Sequence, residues 1–418
     1  MKKGVLVVTS LGVIVLILSL FFLYYDDSFK MVYENSESNS VMRSNALTMM
    51  YETGVDSGEY QVVSDDMWLQ DGYLFNESLS SCENDSAIYW DDDTKRVIVE
   101  AINIDKCYVY FDMEPKTLTY YITNKVYTGT DGENDLYYHD GVGTYTNADQ
   151  EAGDNSYRYV GADPDNYICF GSSAEPCPED NLYRIIGVFD GQVKLIKSDY
   201  MTSLELGISS AFDANPNEDF FGFYKGSQSI VETFFWNNTN NNSWPTSNLN
   251  TQLNNYFLSN INSDWSDLIV NFDWQVGGGL YNNISHSIIK TVYQYELFEN
   301  SVETTYNAKI GLMYVSDYGY AATPDNWLTT LYYYDNSSNQ ENNWLFLGGW
   351  DWTITKLTDN DSTVFFVGAT GFIDRYYAYY SNDGYRGVRA CFYLDSSVNL
   401  AGGTGTKTDP YTIDISSV

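Results

Sequence analysis

The 418-residue chain has only two histidines, His139 and His286. So few imidazoles exclude most zinc sites and most histidine-based acid–base chemistry. Positive charge is scarce as well: 21 Lys and Arg face 57 Asp and Glu, for a net charge of −36 and a pI near 4.1. A surface this acidic repels phosphate backbones, which removes nucleic acid as a partner. It repels anionic lipid heads in the same way. Solubility in a saline exterior explains the acid excess, and calcium binding is the sharper explanation. Long apolar runs are absent after the first two dozen residues.

The one apolar run is GVLVVTSLGVIVLILSLFFLYY, residues 4–25, without a charge. About 22 residues at roughly 1.5 Å rise span about 33 Å, enough for a bilayer core of about 30 Å. Lys2 and Lys3 precede the run, and Asp26 and Asp27 stop it. That arrangement puts the N-terminus inside and the bulk outside. A cleaved signal peptide is the rival reading, but the stretch exceeds a normal h-region and no A-x-A site follows. No Cys follows it either, which excludes a lipoprotein anchor. A prepilin leader cut after Gly4 would carry Glu five residues on, where this chain has Thr9. The expectation is a retained single-pass anchor with everything after it extracellular.

Aromatics are abundant, with 39 Tyr and 10 Trp. Tyr and Trp mixed with Asn, Ser and Gly is the composition of a recognition surface, and also of many β-rich extracellular folds. Five cysteines are present. The simplest pairing is local, Cys82 with Cys107 and Cys169 with Cys177, although four Cys allow three pairings. Disulfides persist outside cells. Cys391 is left over in the alternating stretch VRACFYL and reads as a buried thiol.

The chain divides into a transmembrane anchor (1–25), a stalk helix (26–55), a small β-domain (56–113), a linker with a lead-in loop (114–181) and an α+β domain (182–418). The stalk helix rests on Met42, Ala46, Met49 and Met50 at helical spacing, ended by Gly54. In the β-domain, strands are predicted at 72–75, 87–90, 96–102 and 107–111, with a turn at Asp91, Asp92, Asp93 and Thr94. Residues 114–181 are poor in apolar residues and rich in Gly, Asp, Asn and Thr. Next, LYRIIGVF and QVKLIKS flank Asp190-Gly191, the strongest short-range hairpin signal. A helix starts at Pro245, Thr246 and Ser247 and buries Leu249, Leu253, Tyr256 and Phe257. A second short helix covers 264–270. Strands are expected at 308–315, 344–347, 352–357, 363–368 and 388–394.

The stretches GYLFNESLSSCENDSAIYWDDDTKRVIVEA, DKCYVYFD, YRYVGADPDNYICFGS and LYRIIGVFDGQVKLIKSDY resemble a group of surface proteins of gut Firmicutes and Mollicutes-like bacteria, many with pilin-like or signal-anchor N-termini. The C-terminal VRACFYLDSSVNLAGGTGTKTDPYTI is similar to modules of unknown function related to the C-type-lectin and formylglycine-generating-enzyme fold. The resemblance implies location and architecture: an α+β chain with a transmembrane helix, a small disulfide-linked β-domain and a C-type-lectin-like α+β domain with long loops. It brings no activity. Formylglycine-generating enzymes use paired cysteines, and here Cys391 has no nearby partner.

Candidate chemistry is sparse. Calcium needs six to eight oxygens, with Asp or Asn at alternate positions. Asp131 and Asp135, Asp163 and Asp165, and Asp359 and Asp361 come nearest, without EF-hand spacing or the sugar-binding motifs E-P-N and W-N-D. No cofactor is therefore expected. No motif singles out a glycosidase carboxylate pair. The segment DRYYAYYSNDGYR, residues 374–386, is a candidate binding face. Tyr376, Tyr377, Tyr379, Tyr380 and Tyr385 would give contact area at low entropy cost, and Arg386 bidentate donors. Trp350 joins this set, and Trp352 reads as core. The expectation is a non-enzymatic surface protein that binds a protein or glycan ligand. A pilin-like filament subunit and a carboxylate-based surface hydrolase are the alternatives.

Overall fold

The computed structural model describes residues 46–63, 72–91, 94, 96–100, 105–140, 151–208, 220–224, 227–298, 304–334, 342–379 and 386–415. The anchor run at 4–25 and Met42 lie outside these. No helix among the described residues is long and apolar enough to cross a membrane. The fold is mixed α/β, mostly sheet with few helices, and holds two disulfides. Contacts divide the chain at Pro115/Lys116.

Among its described residues the smaller unit has six strands: β1 (Ala46–Glu52), β2 (Tyr60–Val62), β3 (Tyr73–Cys82), β4 (Ala87–Asp91), β5 (Arg96–Glu100) and β6 (Lys106–Met113). One sheet runs β2-β1-β6-β3, with β1 parallel to β6, and β4–β5 is a hairpin. The stalk helix expected over 26–55 is corrected in its described part, because 46–52 is a strand, while 26–45 lies outside the described residues. The decisive spacing is Leu47, Met49 and Tyr51, period two, packed against the buried Val109 and Phe111 of β6. The strand ends at Glu52, whose buried carboxylate accepts from Gly58 N–H (2.9 Å) and Met113 N–H (3.0 Å). Phe75, Trp90 and Phe111 form the aromatic centre, with ring centroids 6.1–6.3 Å apart. Cys82 and Cys107 face each other in the β3–β6 register and are bonded. A bridge of this span stabilises a small core by about 3 kcal/mol in the chain-entropy model.

The larger unit contains β7 (Leu136–His139), β8 (Ser156–Tyr159), β9 (Tyr167–Cys169), β10 (Leu182–Phe189), β11 (Gln192–Lys197), the hairpin β12 (Phe220–Tyr224) and β13 (Ser227–Val231), β14 (Phe272–Gln275), β15 (Thr305–Ala308), β16 (Ile310–Gly311), β17 (Asp351–Lys356), β18 (Thr363–Val367), β19 (Ile373–Tyr377), β20 (Cys391–Tyr393), β21 (Asn399–Gly402) and β22 (Thr412–Asp414). The main sheet runs β16-β20-β11-β10-β8-β7, with β9 also paired to β10. β17-β18-β19 forms a second, antiparallel sheet. Two helices shape the site, α1 (Ile289–Leu297) and α2 (Val315–Tyr320).

The β10–β11 hairpin matches the sequence, and both turn residues, Asp190 (φ 48°) and Gly191 (φ 78°), are left-handed. β10 bulges between Ile185 and Gly187. A Cβ at Gly187 would come within 2.1 Å of the Tyr157 carbonyl oxygen, so β8 lies close only because this position is glycine.

The linker reading of 114–181 is a second correction. This stretch supplies β7, β8 and β9, and Leu118, Ile122, Leu136, Ile168 and Phe170 are fully buried in the main core. Cys169, at the end of β9, bonds Cys177. Further along, the helical run is Asn248–Thr251, Gln252–Phe257 and Leu258–Asn260, capped by the Ser247 side chain. Leu249, Leu253 and Phe257 are buried on it, but Tyr256 is 40% exposed. The helix expected at 264–270 is only Ser263–Ser266, since Ile269 bridges to Leu394. The strand expected at 308–315 stops at Gly311, and Val315 opens α2. Residues 344–347 are buried turn rather than strand.

Candidate functional site

Arg158 on β8 and Lys194 on β11 point from the main sheet into its core, where each is almost fully buried. A buried cation needs a partner. Asp317, in the first turn of α2, accepts from Lys194 Nζ at 2.6 Å and from Tyr314 N–H at 2.8 Å through one oxygen, Oδ2. Its Oδ1 stands 3.9 Å from Arg158 Nη1. Arg158 donates its Nη2 hydrogen to Asp154 Oδ2 (2.6 Å) and its Nε hydrogen to Ser156 Oγ (2.9 Å). Tyr293 on α1 donates to Asp154 Oδ2 at 2.6 Å.

Aromatic rings surround both cations. Lys194 Nζ lies 4.5 Å from the Tyr314 ring centre, 5.2 Å from Tyr393, 5.5 Å from Trp274 and 5.6 Å from Phe189. The Arg158 guanidinium lies 4.5 Å from Phe189, 5.0 Å from Tyr320 and 5.3 Å from Tyr293. Such contacts stabilise a desolvated cation by about 2 kcal/mol.

The network settles its own protons. Burial pushes the Lys194 ammonium toward neutrality, but the charge of Asp317 outweighs it and the net shift is upward. The Arg158 guanidinium is likewise penalised by burial and raised on balance by Asp154. For Asp154, burial raises and the Arg158 charge lowers, and the carboxylate ends well below its ordinary range. Behind the floor, burial and the Arg158 charge hold the His139 imidazole neutral, with its pKa pushed down to about 3. His139 Nδ1 accepts from Ala152 N–H at 2.9 Å, and the ring packs on Tyr320 and Trp327.

Above these residues is a cavity of about 410 Å³, lined by parts of β8, β11, β14, β20, α1 and α2. Its size suits a small molecule. Arg158, Lys194, Asp317 and Tyr393, all buried, are among its lining residues, and Arg158 Nη1 and Asp317 Oδ1 stand 3.9 Å apart there. Phe272 stacks on Tyr393 at 3.9 Å and continues the wall, while Phe298, 63% exposed, and the exposed Asp190 and Asp273 stand at the mouth. A floor of cations beside carboxylates, walled by rings, is arranged to hold a polar molecule.

Glu296 on α1 is a third carboxylate of this region, raised by burial. It does not line the cavity. Its oxygens accept from Val315 N–H and Ser316 N–H, each at 2.9 Å, and from the Thr355 hydroxyl. It anchors α2 and, with it, Asp317.

The residues singled out from the sequence lie elsewhere. Tyr377 and Tyr379 are exposed, by 43% and 36%, and Tyr376 is half-buried. Tyr380 and Tyr385 lie outside the described residues. Arg386 offers no surface donor fork, contrary to the sequence reading. It is 3% exposed and its guanidinium sits 4.3 Å from the Phe366 ring centre, 4.5 Å from Trp350, 4.9 Å from Tyr376 and 5.5 Å from Trp352. Trp350 is half-buried on this box, and Trp352 is core, its indole N–H donating to the Phe234 carbonyl at 2.7 Å. Cys391 is buried, and burial pushes its thiol up to about 12.

Two of the acidic loops have a carboxylate engaged by the protein itself. Asp131 accepts from Tyr138 N–H at 2.8 Å, and Asp163 pairs with Arg184 at 3.1 Å. Among the described residues, one group has metal-like spacing: Cys82, Asp105 and Cys107. Its two sulfurs are joined in the disulfide, and Asp105 accepts from Asn84 N–H and the Ser86 hydroxyl.

Sequence reasoning missed Arg158, Lys194 and Asp317. A signal existed: cations inside strand patterns, Arg158 in SYRY and Lys194 in QVKLIK. Compared with family models, with curated proteins and with solved structures, the chain matches none.

Proposed function

We propose that this is a surface-displayed recognition protein, held by the apolar run at 4–25, whose lectin-like larger unit binds a small polar ligand or glycan without turning it over. One observation carries the binding reading: Arg158 Nη1 and Asp317 Oδ1, a donor and an acceptor 3.9 Å apart, lie on the floor of a cavity of about 410 Å³. A ligand oxygen placed between them can bond to both. The extracellular reading is supported by the charge-free run behind Lys2 and Lys3 and by a disulfide in each unit. The mixed sheets and long loops of the larger unit are consistent with a lectin-like module. Binding is favoured over hydrolysis because Glu296, the carboxylate raised by burial, faces backbone donors and not the cavity.

Two measurements test this. Protease added to intact cells that express the full chain should release fragments from beyond residue 26. Protection until lysis would refute surface display. The full chain in detergent should bind defined positions on a glycan array, and Phe298→Ala at the mouth should lower those signals. An N-terminus beginning at Val5, in sheared filaments, would instead favour a pilin-like subunit.

A further inference from the structure

We infer that the ligand is a neutral saccharide ring, one hydroxyl of which sits between Arg158 Nη1 and Asp317 Oδ1 while its C–H face lies on the aromatic wall. This rests on reading the cavity as a binding site and goes on to name what fills it.

Three observations select the ligand class. The first is spacing. At 3.9 Å the guanidinium and carboxylate are too far apart for a hydrogen bond. An oxygen set between them reaches both at about 2.8 Å, the normal length for such contacts. It must accept from Arg158 and donate to Asp317. A hydroxyl does both, whereas a carboxylate oxygen cannot donate and an ammonium cannot accept; a phosphate P–OH could do both but brings the negative charge weighed next. Tyr393, which lines the cavity, and Tyr314, whose oxygen accepts from Gln275 N–H at 2.7 Å and so keeps its own hydrogen, offer further hydroxyl contacts to a molecule with several hydroxyls.

The second is charge. The floor carries Arg158 and Lys194 against Asp154 and Asp317, two positive and two negative, so its sum is zero. An anion would approach past Asp190 and Asp273 on a chain of net charge −36. A cation would meet Arg158 and Lys194 at the bottom. A neutral ligand meets neither penalty.

The third is the wall. Phe189, Phe272 and Tyr393 present rings beside the polar floor, and Phe298 adds one at the mouth. A pyranose has hydroxyls around its edge and C–H groups on its faces, so it uses floor and wall at once. A volume of about 410 Å³ open at one side holds one ring and leaves its glycosidic oxygen free for a longer chain outside.

Isothermal titration of the full chain in detergent tests this with six sugars (D-glucose, D-galactose, D-mannose, L-fucose, N-acetyl-D-glucosamine and N-acetyl-D-galactosamine) and three charged probes (sodium acetate, sodium phosphate and choline chloride). At least one sugar should bind, and no charged probe should. Tyr393→Phe should weaken that sugar by about 3- to 10-fold, the range one net hydrogen bond supports. Phe298→Ala should weaken it by a similar factor, and neither variant should shift the unfolding temperature by more than about 2 °C. Binding of a charged probe alone, reduced by the same variants, overturns the saccharide inference and leaves the cavity a binding site. Sugar binding unaffected by either variant also overturns it. If none of the nine binds, the inference fails. The binding reading then fails with it only if Phe298→Ala also leaves the glycan-array signals unchanged.

Discussion

Two regions of the larger unit surround buried cations with aromatic rings, and they end differently. Arg386 is boxed by Trp350, Trp352, Phe366 and Tyr376. Arg158 and Lys194 share Phe189, and further rings of Tyr293, Tyr314, Tyr320 and Tyr393 enclose them. The Arg386 box seats the segment 386–388 against β17 and Phe234, through the Phe234–Arg386 and Asp351–Gly387 bridges. The Arg158–Lys194 pair instead opens on a cavity of about 410 Å³, with Asp317 beside both cations. Rings around a cation therefore do not mark a site by themselves. Charged groups that line a space do.

Four substitutions or conditions sharpen this contrast. Asp317→Ala removes the counter-charge of Lys194 and leaves that ammonium buried among rings. It should destabilise the larger unit by about 3–5 kcal/mol in urea unfolding. A loss under about 1 kcal/mol would mean that the two cations do not depend on Asp317.

The second effect is of pH. His139 is fully buried, faces the charges of Arg158 and Asp154, and has its folded pKa near 3. Unfolded, it takes up a proton near pH 6.5. Between those values the unfolded chain holds the extra proton, so stability falls as pH drops below 6.5. From pH 7 to pH 5 this amounts to about 2 kcal/mol. His139→Phe should remove that part of the slope, and an unchanged slope would deny the histidine this role. Asp351, pushed up to about 6 by burial against the opposing charge of Arg389, works the other way between about pH 4 and 6. The comparison of variant with parent cancels it.

Arg386→Met should cost about 1–2 kcal/mol, the size of a desolvated cation–π box, and should leave ligand affinity within about twofold. A larger loss of affinity would make the box part of the site. Tyr393→Phe is the smallest change in stability, under about 0.5 kcal/mol, because it keeps the ring that stacks on Phe272 and removes one hydroxyl at the cavity. Here the affinity should fall while the fold does not.

The sequence made some of this legible and hid the rest for physical reasons. Asp190-Gly191 specifies a two-residue turn, and both residues adopt the left-handed backbone it requires. Ser247 was readable as the start of a helix, and the local cysteine pairs are the observed ones. Residues 46–52 failed because Ala46, Met49 and Met50 satisfy a helical period while Leu47, Met49 and Tyr51 satisfy a strand period. Only the parallel partner β6, 60 residues on, decides between them. β7, β8 and β9 escaped because they are short and bury His139, Ser156 and Arg158 beside the apolar Leu136 and Ile168, a mixture that looks like loop in a composition window. The cavity was illegible for the same reason. It brings together Arg158, Lys194 and Asp317, up to 159 positions apart, and no local pattern joins them. The tyrosines at 376–379 stood out because they are adjacent in sequence, which is a weaker qualification than adjacency around a space.

The most direct test of the central claim sets those two places against each other. Tyr377→Ser with Tyr379→Ser, and separately Tyr393→Phe with Phe298→Ala, are compared with the parent full chain on one glycan array, with unfolding temperatures measured beside them. The cavity account predicts that the second pair abolishes or strongly reduces the bound positions while the first pair leaves them within about twofold. Loss of binding in the tyrosine-face pair alone, with the cavity pair still binding and all chains folded, would contradict it.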